Sequence, residues 1–333
     1  MSFAITFLGT TVAWLIVALL AVSWGAVSIP PEELVQLIGW GAPGTALVRP
    51  EITAVFWDIR LPRVLLASLA GAGLSLAGGA WQAVLRNPLA DPYLIGASAG
   101  AAVGAGAALL FGLGGGSPMA LPGLAFLGAL GAVGAVYRLA WRPGQSLSVE
   151  RLLLAGVAVS SFLSAGLTGT MVLRSADFTP LYLWLIGSLA GRGWEQLSLM
   201  APYGLIATLG LMLYLPRLNL MQWGDETARS LGVEARRDPR AVIALAALLT
   251  ASVVSVCGMI GFVGLVVPHL ARLLVGPDLR RMIPLAVVLG ATLLTAADLA
   301  ARTLFAPLEV PVGVVTALLG APFFLLLLAR RSA

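Results

Sequence analysis

One histidine, one cysteine and no lysine leave this 333-residue sequence little with which to do covalent or metal chemistry. All 20 basic residues are arginine. A Walker-type phosphate loop needs a lysine to reach the β- and γ-phosphates, and Schiff-base chemistry needs an amine. A single His and a single Cys make neither a His/Cys metal cluster nor an intramolecular disulfide. The chain is therefore expected to hold no ATP-hydrolysing site, no metal and no cofactor of its own.

Polar and helix-breaking residues concentrate in three places. The first is Arg86-Asn87-Pro88-Leu89-Ala90-Asp91-Pro92, where two prolines four apart interrupt any continuous helix. It reads either as an ordinary turn or as a constriction on a pathway, because non-helical backbone inside a bilayer survives only within protein or beside a cavity. The second is the polar segment 217–240, containing Gly224-Asp225-Glu226-Thr227-Ala228-Arg229-Ser230-Leu231-Gly232. Asp225 suits a helix cap, Glu226 the positive first turn, Arg229 the negative end and Gly232 the stop. So short a helix is unstable alone, so it leans on its own bundle or docks into a cytoplasmic partner. The third runs from Gly258 to His269, with glycines at 258, 261 and 264 and Pro268 before the histidine. Histidine titrates near pH 6.5, but no carboxylate lies within a few residues, which favours a satisfied helix-end group over a proton relay.

The elements that must carry these residues are apolar. Mean hydropathy is +0.97, with 59% hydrophobic and 11% charged residues, against about 25% charged in soluble domains. A soluble fold of this composition would expose large apolar patches, so soluble classes are excluded, nucleic-acid binders included despite the net charge of +5. A bilayer core needs about 20 apolar residues per helix. The charge-free stretches are 1–31, 64–85, 92–137, 152–173, 196–216, 241–271, 282–297 and 310–329. Stretch 92–137 holds two helices with a glycine-rich turn at 112–118, and 241–271 holds one full and one short helix. Segment 178–191 reads as re-entrant or interfacial. This gives an all-α membrane protein of about ten spans, a single domain over 1–333. The first span lacks a basic leader and is expected to be retained as a helix.

Cytoplasmic loops hold the excess of basic residues. Ten spans put both termini on one side, together with fourteen of the twenty arginines: Arg86, Arg138, Arg142, Arg151, Arg217, Arg229, Arg236, Arg237, Arg240, Arg272, Arg280, Arg281, Arg330 and Arg331. Arg49, Arg60, Arg63, Arg174, Arg192 and Arg302 fall on the other side. Both termini are therefore expected in the cytoplasm. Gly96, Gly100, Gly104, Ala108 and Gly112, and likewise Gly71, Ser75 and Gly79, step by four, the spacing of a close helix–helix face.

In these places the sequence resembles the FecCD/BtuC-like permease family, the membrane subunits of type II ABC importers for iron chelates, haem and cobalamin. The matching pieces include Arg60-Leu61-Pro62-Arg63, Asn87-Pro88-Leu89-Ala90-Asp91-Pro92, Leu152-Leu153-Leu154-Ala155-Gly156-Val157, the 224–232 loop, Gly261 to His269, Ala297-Asp298 with Arg302, and Glu309-Val310-Pro311-Val312-Gly313-Val314-Val315-Thr316-Ala317. They occur in the family's order from about 55 to 325. The resemblance implies ten helices with an inverted repeat relating spans two to five and seven to ten. It implies a second permease copy (a homodimer), two ATP-binding subunits that use ATP and Mg, a soluble substrate-binding protein, lipid contact and residence in the cell (inner) membrane. Carried over residue by residue, it makes Asn87, Pro88 and Leu89 a translocation gate. It makes Gly224, Asp225, Glu226, Ala228, Arg229, Leu231 and Gly232 the ATPase coupling loop. Arg60, Arg63 and Arg302 become outer-rim contacts for acidic residues of the binding protein, so that reversing Arg60 and Arg63 should weaken docking without harming assembly. Two positions depart from the pattern: Val149 and Glu150 stand, with Ser148 adjacent, where the cobalamin permease uses a hydroxyl pair, and Leu279 follows Gly276-Pro277-Asp278 where the family commonly has His.

The expected function is translocation of an iron chelate, ferric siderophore or haem, with a cobalamin importer as alternative. An ion-coupled secondary transporter would place ionisable residues at mid-helix; here the acidic candidate is Asp298, near the outer end of its span.

Overall fold

The computed structural model describes residues 2–25, 27–39, 49–113, 119–142, 148–174, 177, 179–234 and 237–331. The chain begins with α1 (Phe3–Ser23) and two short helices, α2 (Pro31–Gly39) and α3 (Pro50–Ala54). A π-helical turn, Val55–Arg60, joins α3 without a break to α4 (Leu61–Val84). A 3₁₀ turn at Pro92–Ile95 precedes α5 (Ala97–Leu110), followed by α6 (Ala120–Ala140), α7 (Val149–Leu173) and short α8 (Thr179–Leu185). The second half holds α9 (Trp194–Met221), α10 (Asp225–Ser230), α11 (Arg237–Cys257), α12 (Val263–Val275), α13 (Leu279–Thr303) and α14 (Val312–Arg331).

Seven of these helices, counting α3 to α4 as one, are long and apolar enough to cross a bilayer; α5, α12 and Val312–Leu326 of α14 are shorter apolar helices. Together they make the ten spans expected. Turn residues 114–118 and Arg236 lie outside the described residues. The expected re-entrant piece is α8 and the loop after it, tied to the end of α11 by the bond from Ser188 N–H to the Cys257 carbonyl (2.9 Å).

At 1.5 Å per residue, α5 and α12 span about 20 Å each, short of a hydrocarbon core of about 30 Å. Non-helical segments 86–96 and 258–262 precede them. They stand five spans apart, on opposite entry sides, the relation an inverted repeat imposes. The two segments also meet, since the Tyr93 hydroxyl accepts from Ile260 N–H and donates to the Ile260 carbonyl, both at 3.2 Å. This satisfies backbone groups that hydrocarbon cannot.

Helix α4 is the core: most of its residues from Pro62 to Ala83 are buried, and it packs against α9, α11, α12 and α13. Its small residues permit that. A β-carbon on Gly78 would lie 1.8 Å from the Gly264 carbonyl oxygen, and one on Gly71 2.1 Å from that of Gly290. Gly100 and Gly104 likewise meet Gly128 and Leu124 of α6. The four-residue stripes are packing faces, as expected, except at Gly112, which lies past the end of α5 and meets no neighbour.

Candidate functional site

The three groups of residues singled out from the sequence lie two at one end of the bundle and one at the other.

The polar loop folds as expected in outline. The helix Asp225–Ser230 follows Gly224, whose φ of 101° is a conformation only glycine adopts freely, and Gly232 (φ 90°) ends the turn after it. The expected cap position shifts by one: Gly224 precedes the helix and Asp225 is its first residue. Ala228 and Val233 are buried in the same apolar core as Leu218 and Met221 of α9, while Glu226, Arg229 and Leu231 face outward. One face of α10 thus leans on its own bundle and the other stays free. Leu231, 58% exposed, is an apolar residue presented on that free side.

The Asn87 segment is a compact loop. Arg86 takes φ 49°, Asn87 Oδ1 accepts from Leu89 N–H (3.0 Å), and Asp91 Oδ1 accepts from Tyr93 N–H (2.8 Å). Asp91 caps the 3₁₀ turn, which Pro92 begins. Pro88 and Leu89 face Leu265, Val266 and His269 of α12 and Phe324 of α14. His269 is therefore a buried residue inside α12 beside the loop, not the span-end group its sequence position suggested.

Arg60, Arg63 and Arg302 do come together, at the opposite end, but they are turned inward. Each is less than a tenth exposed. Arg63 grips both oxygens of Asp298 at 3.0–3.1 Å and reaches Glu309 at 3.0 Å. Arg302 Nε lies 3.8 Å from Asp298, and its Nη2 donates to the Ala21 carbonyl. Arg60 donates to the carbonyls of Val22 and Ser23 (2.7 Å each) and to that of Val27. The last carbonyls of α1 lack helical donors and carry the negative end of its dipole, so two guanidinium groups cap them. In the structure the donors of Arg63 are engaged by carboxylates and those of Arg60 by carbonyls. Reversing Arg60 and Arg63 to Glu would strip partners from Asp298 and from α1, so it would damage assembly as well as any docking.

Sequence reasoning missed Tyr93, and it missed the polar residues at the end of α9. Asn219 Oδ1 accepts from Leu279 N–H of α13 (3.0 Å) and from Gln222 Nε2 (3.1 Å). Gln222 Oε1 accepts from Arg272 of α12 (3.3 Å), and the Met221 carbonyl accepts from Arg86 Nε (3.1 Å). Arg217 donates to buried Asp238 of α11 (2.6 Å), whose other oxygen accepts from Glu234 N–H. The interrupted polar pattern of Arg217, Asn219 and Gln222 just after Pro216 was the available signal.

The FecCD transport family matches residues 13–330. The Cobalamin import system permease protein BtuC of Halobacterium salinarum is 39% identical over 312 residues, covering 93% of this chain and 80% of its own length. The Hemin transport system permease protein HmuU of Yersinia pestis is 40% identical over 289 residues, covering 83% and 84%. A solved inward-facing metal-chelate type ABC transporter superimposes with a TM-score of 0.84 at 31% identity, over 97% of this chain and 98% of that one. With ten apolar helices among its described residues and two broken crossings, the chain belongs to the FecCD transport family and is a multi-pass membrane permease of the metal-chelate ABC importer type.

Proposed function

We propose that the cargo is an iron chelate, a ferric siderophore or haem, handed over by a soluble binding protein at the Arg63 end. In this reading the chain works as a homodimer with two ATPase subunits, which supply the ATP and Mg chemistry; this chain holds neither. Both termini and α10 face the cytoplasm, in keeping with the arginine excess at that end. Asn87, Pro88 and Leu89 form the gate, and residues 224–232 couple it to the ATPase.

The observation that carries this reading is the placement of α10. A one-and-a-half-turn helix has its Ala228 face buried against α9 and its Leu231 side free, next to the helix end that bonds Arg86 at the head of the gate loop. Nucleotide shifts a conformational equilibrium only through differential affinity for its states, and α10 is where such a difference enters this chain. The likeness to a hemin permease supports haem among the chelates; the cobalamin relative keeps a corrinoid cargo as the second reading.

The test is uptake into liposomes holding the chain and its ATPase subunit, with the binding protein loaded in turn with haem, a ferric siderophore or cobalamin. ATP-dependent uptake of an iron chelate is expected. Uptake of cobalamin alone would select the second reading, and proton- or sodium-driven uptake by the chain without ATPase would overturn both.

A further inference from the structure

The end of α9 and the residue after it, 217–222, bond to α11, α12, α13 and the loop that follows α4. It lies three residues before α10 in the chain. Its Met221 carbonyl holds Arg86, at the head of the loop that carries Asn87, Pro88 and Leu89. Its Gln222 holds Arg272 of α12, the helix whose Leu265, Val266 and His269 face Pro88 and Leu89. Its Asn219 holds the first backbone N–H of α13, and its Arg217 holds Asp238 of α11. Asn219 is the centre of this set, because one oxygen accepts both from Leu279 N–H and from the Gln222 amide that orients Gln222 toward Arg272. Pro216 stands immediately before it inside α9, where the missing backbone donor weakens the helix and permits bending.

The geometry points to residues 217–222 as the transmission joint between the coupling helix and the gate, with Asn219 as its positioning residue, acting through a single acceptor oxygen. This rests on the proposed roles of 224–232 and of Asn87 to Leu89. It makes a chemical demand that general packing does not. Asn219→Asp keeps the acceptor and also suits the positive N-terminus of α13. Asn219→Ala and Asn219→Leu remove it, leucine at nearly constant volume.

The experiment uses the chain with its ATPase subunit in liposomes, carrying Leu89→Cys as reporter; the native Cys257 is buried and adds little background. The maleimide labelling rate is read without nucleotide and with ATP and vanadate. With Asn219 present, the rate is expected to change between the two conditions. Asn219→Leu is expected to shrink that response by about fivefold, the shift one ordinary hydrogen bond gives, while ATP hydrolysis and the unfolding temperature stay near parental values. Asn219→Asp is expected to keep the response. If Asn219→Leu lowers the unfolding temperature sharply, Gln222→Leu, which spares the Leu279 bond, is expected to give the same loss of response. A full response in both leucine variants overturns the joint and leaves the gate standing. Equal loss in the Asp and Leu variants also overturns it, since acceptance would then not matter. No nucleotide response in the Asn219 parent overturns the gate reading, and the joint with it.

Discussion

At the Arg63 end of the bundle, three arginines and Asp298 are buried together, and Arg63 alone makes bonds to two carboxylates. At the Asn219 end, the bonds to the loop after α4, to α12 and to α13 are single hydrogen bonds of 3.0 to 3.3 Å; the exception is half-exposed Arg217, paired with buried Asp238 at 2.6 Å. The difference is one of replaceability. A buried charge that loses its partner has no water to turn to, so the first end holds one arrangement. A neutral or half-exposed donor finds water or a new carbonyl at little cost, so the second end can exchange partners during a stroke. The end proposed to meet the binding protein is built as a clamp, and the end proposed to meet the ATPase as a set of releasable links.

Asp298→Ala strikes the clamp hardest. It leaves Arg63 and Arg302 short of their shared counter-charge and should cost about 3–5 kcal/mol, seen as a large drop in unfolding temperature in detergent. An unchanged midpoint would erase the distinction between the ends. Leu231→Asp should instead leave the midpoint unchanged, because that side chain is 58% exposed, yet reduce co-purification of the ATPase subunit about tenfold, as loss of an apolar interface anchor does. Retained co-purification and transport would remove α10 from the interface. Glu309→Gln sharpens the comparison from within the clamp: Glu309 is 42% exposed on its side chain, so the loss should stay below about 1 kcal/mol. A loss matching that of Asp298→Ala would make Glu309 an equal partner.

The smallest effect concerns the proposed gate loop. Asp91→Ala removes the acceptor of the Tyr93 N–H and should cost about 0.5 kcal/mol, seen as hydrogen exchange at the Tyr93 amide faster by about twofold; Asp91→Asn keeps the cap and should keep the protection.

Much of the scaffold was legible in the sequence because hydrocarbon imposes a simple rule on length and charge. The spans, the short helix at 263–275 and the glycine faces follow from apolar run lengths and four-residue spacing, whereas the shortness of 97–110 comes from the prolines that precede it. The arginines were legible in kind but not in direction. Arg60, Arg63 and Arg302 sit 33 to 281 positions from the groups to which they donate hydrogen bonds, and nothing local tells a guanidinium facing water from one capping a distant helix. Asn219 and Tyr93 were missed for the same reason: each acts on backbone atoms of a remote segment, which carry no residue identity to read.

The backbone contacts of α4 with Gly264 and Gly290 have a consequence for how such proteins diversify. Where main chains touch, no side chain can be enlarged, reshaped or charged, so that part of the molecule is closed to adaptation. Fitting a new passenger must then fall to surfaces with room to vary, such as the outward faces of α7, where Leu154 and Phe162 stand at 70% and 77% exposure. The tight axis and the open faces of this one chain thus differ in how much change each can accept.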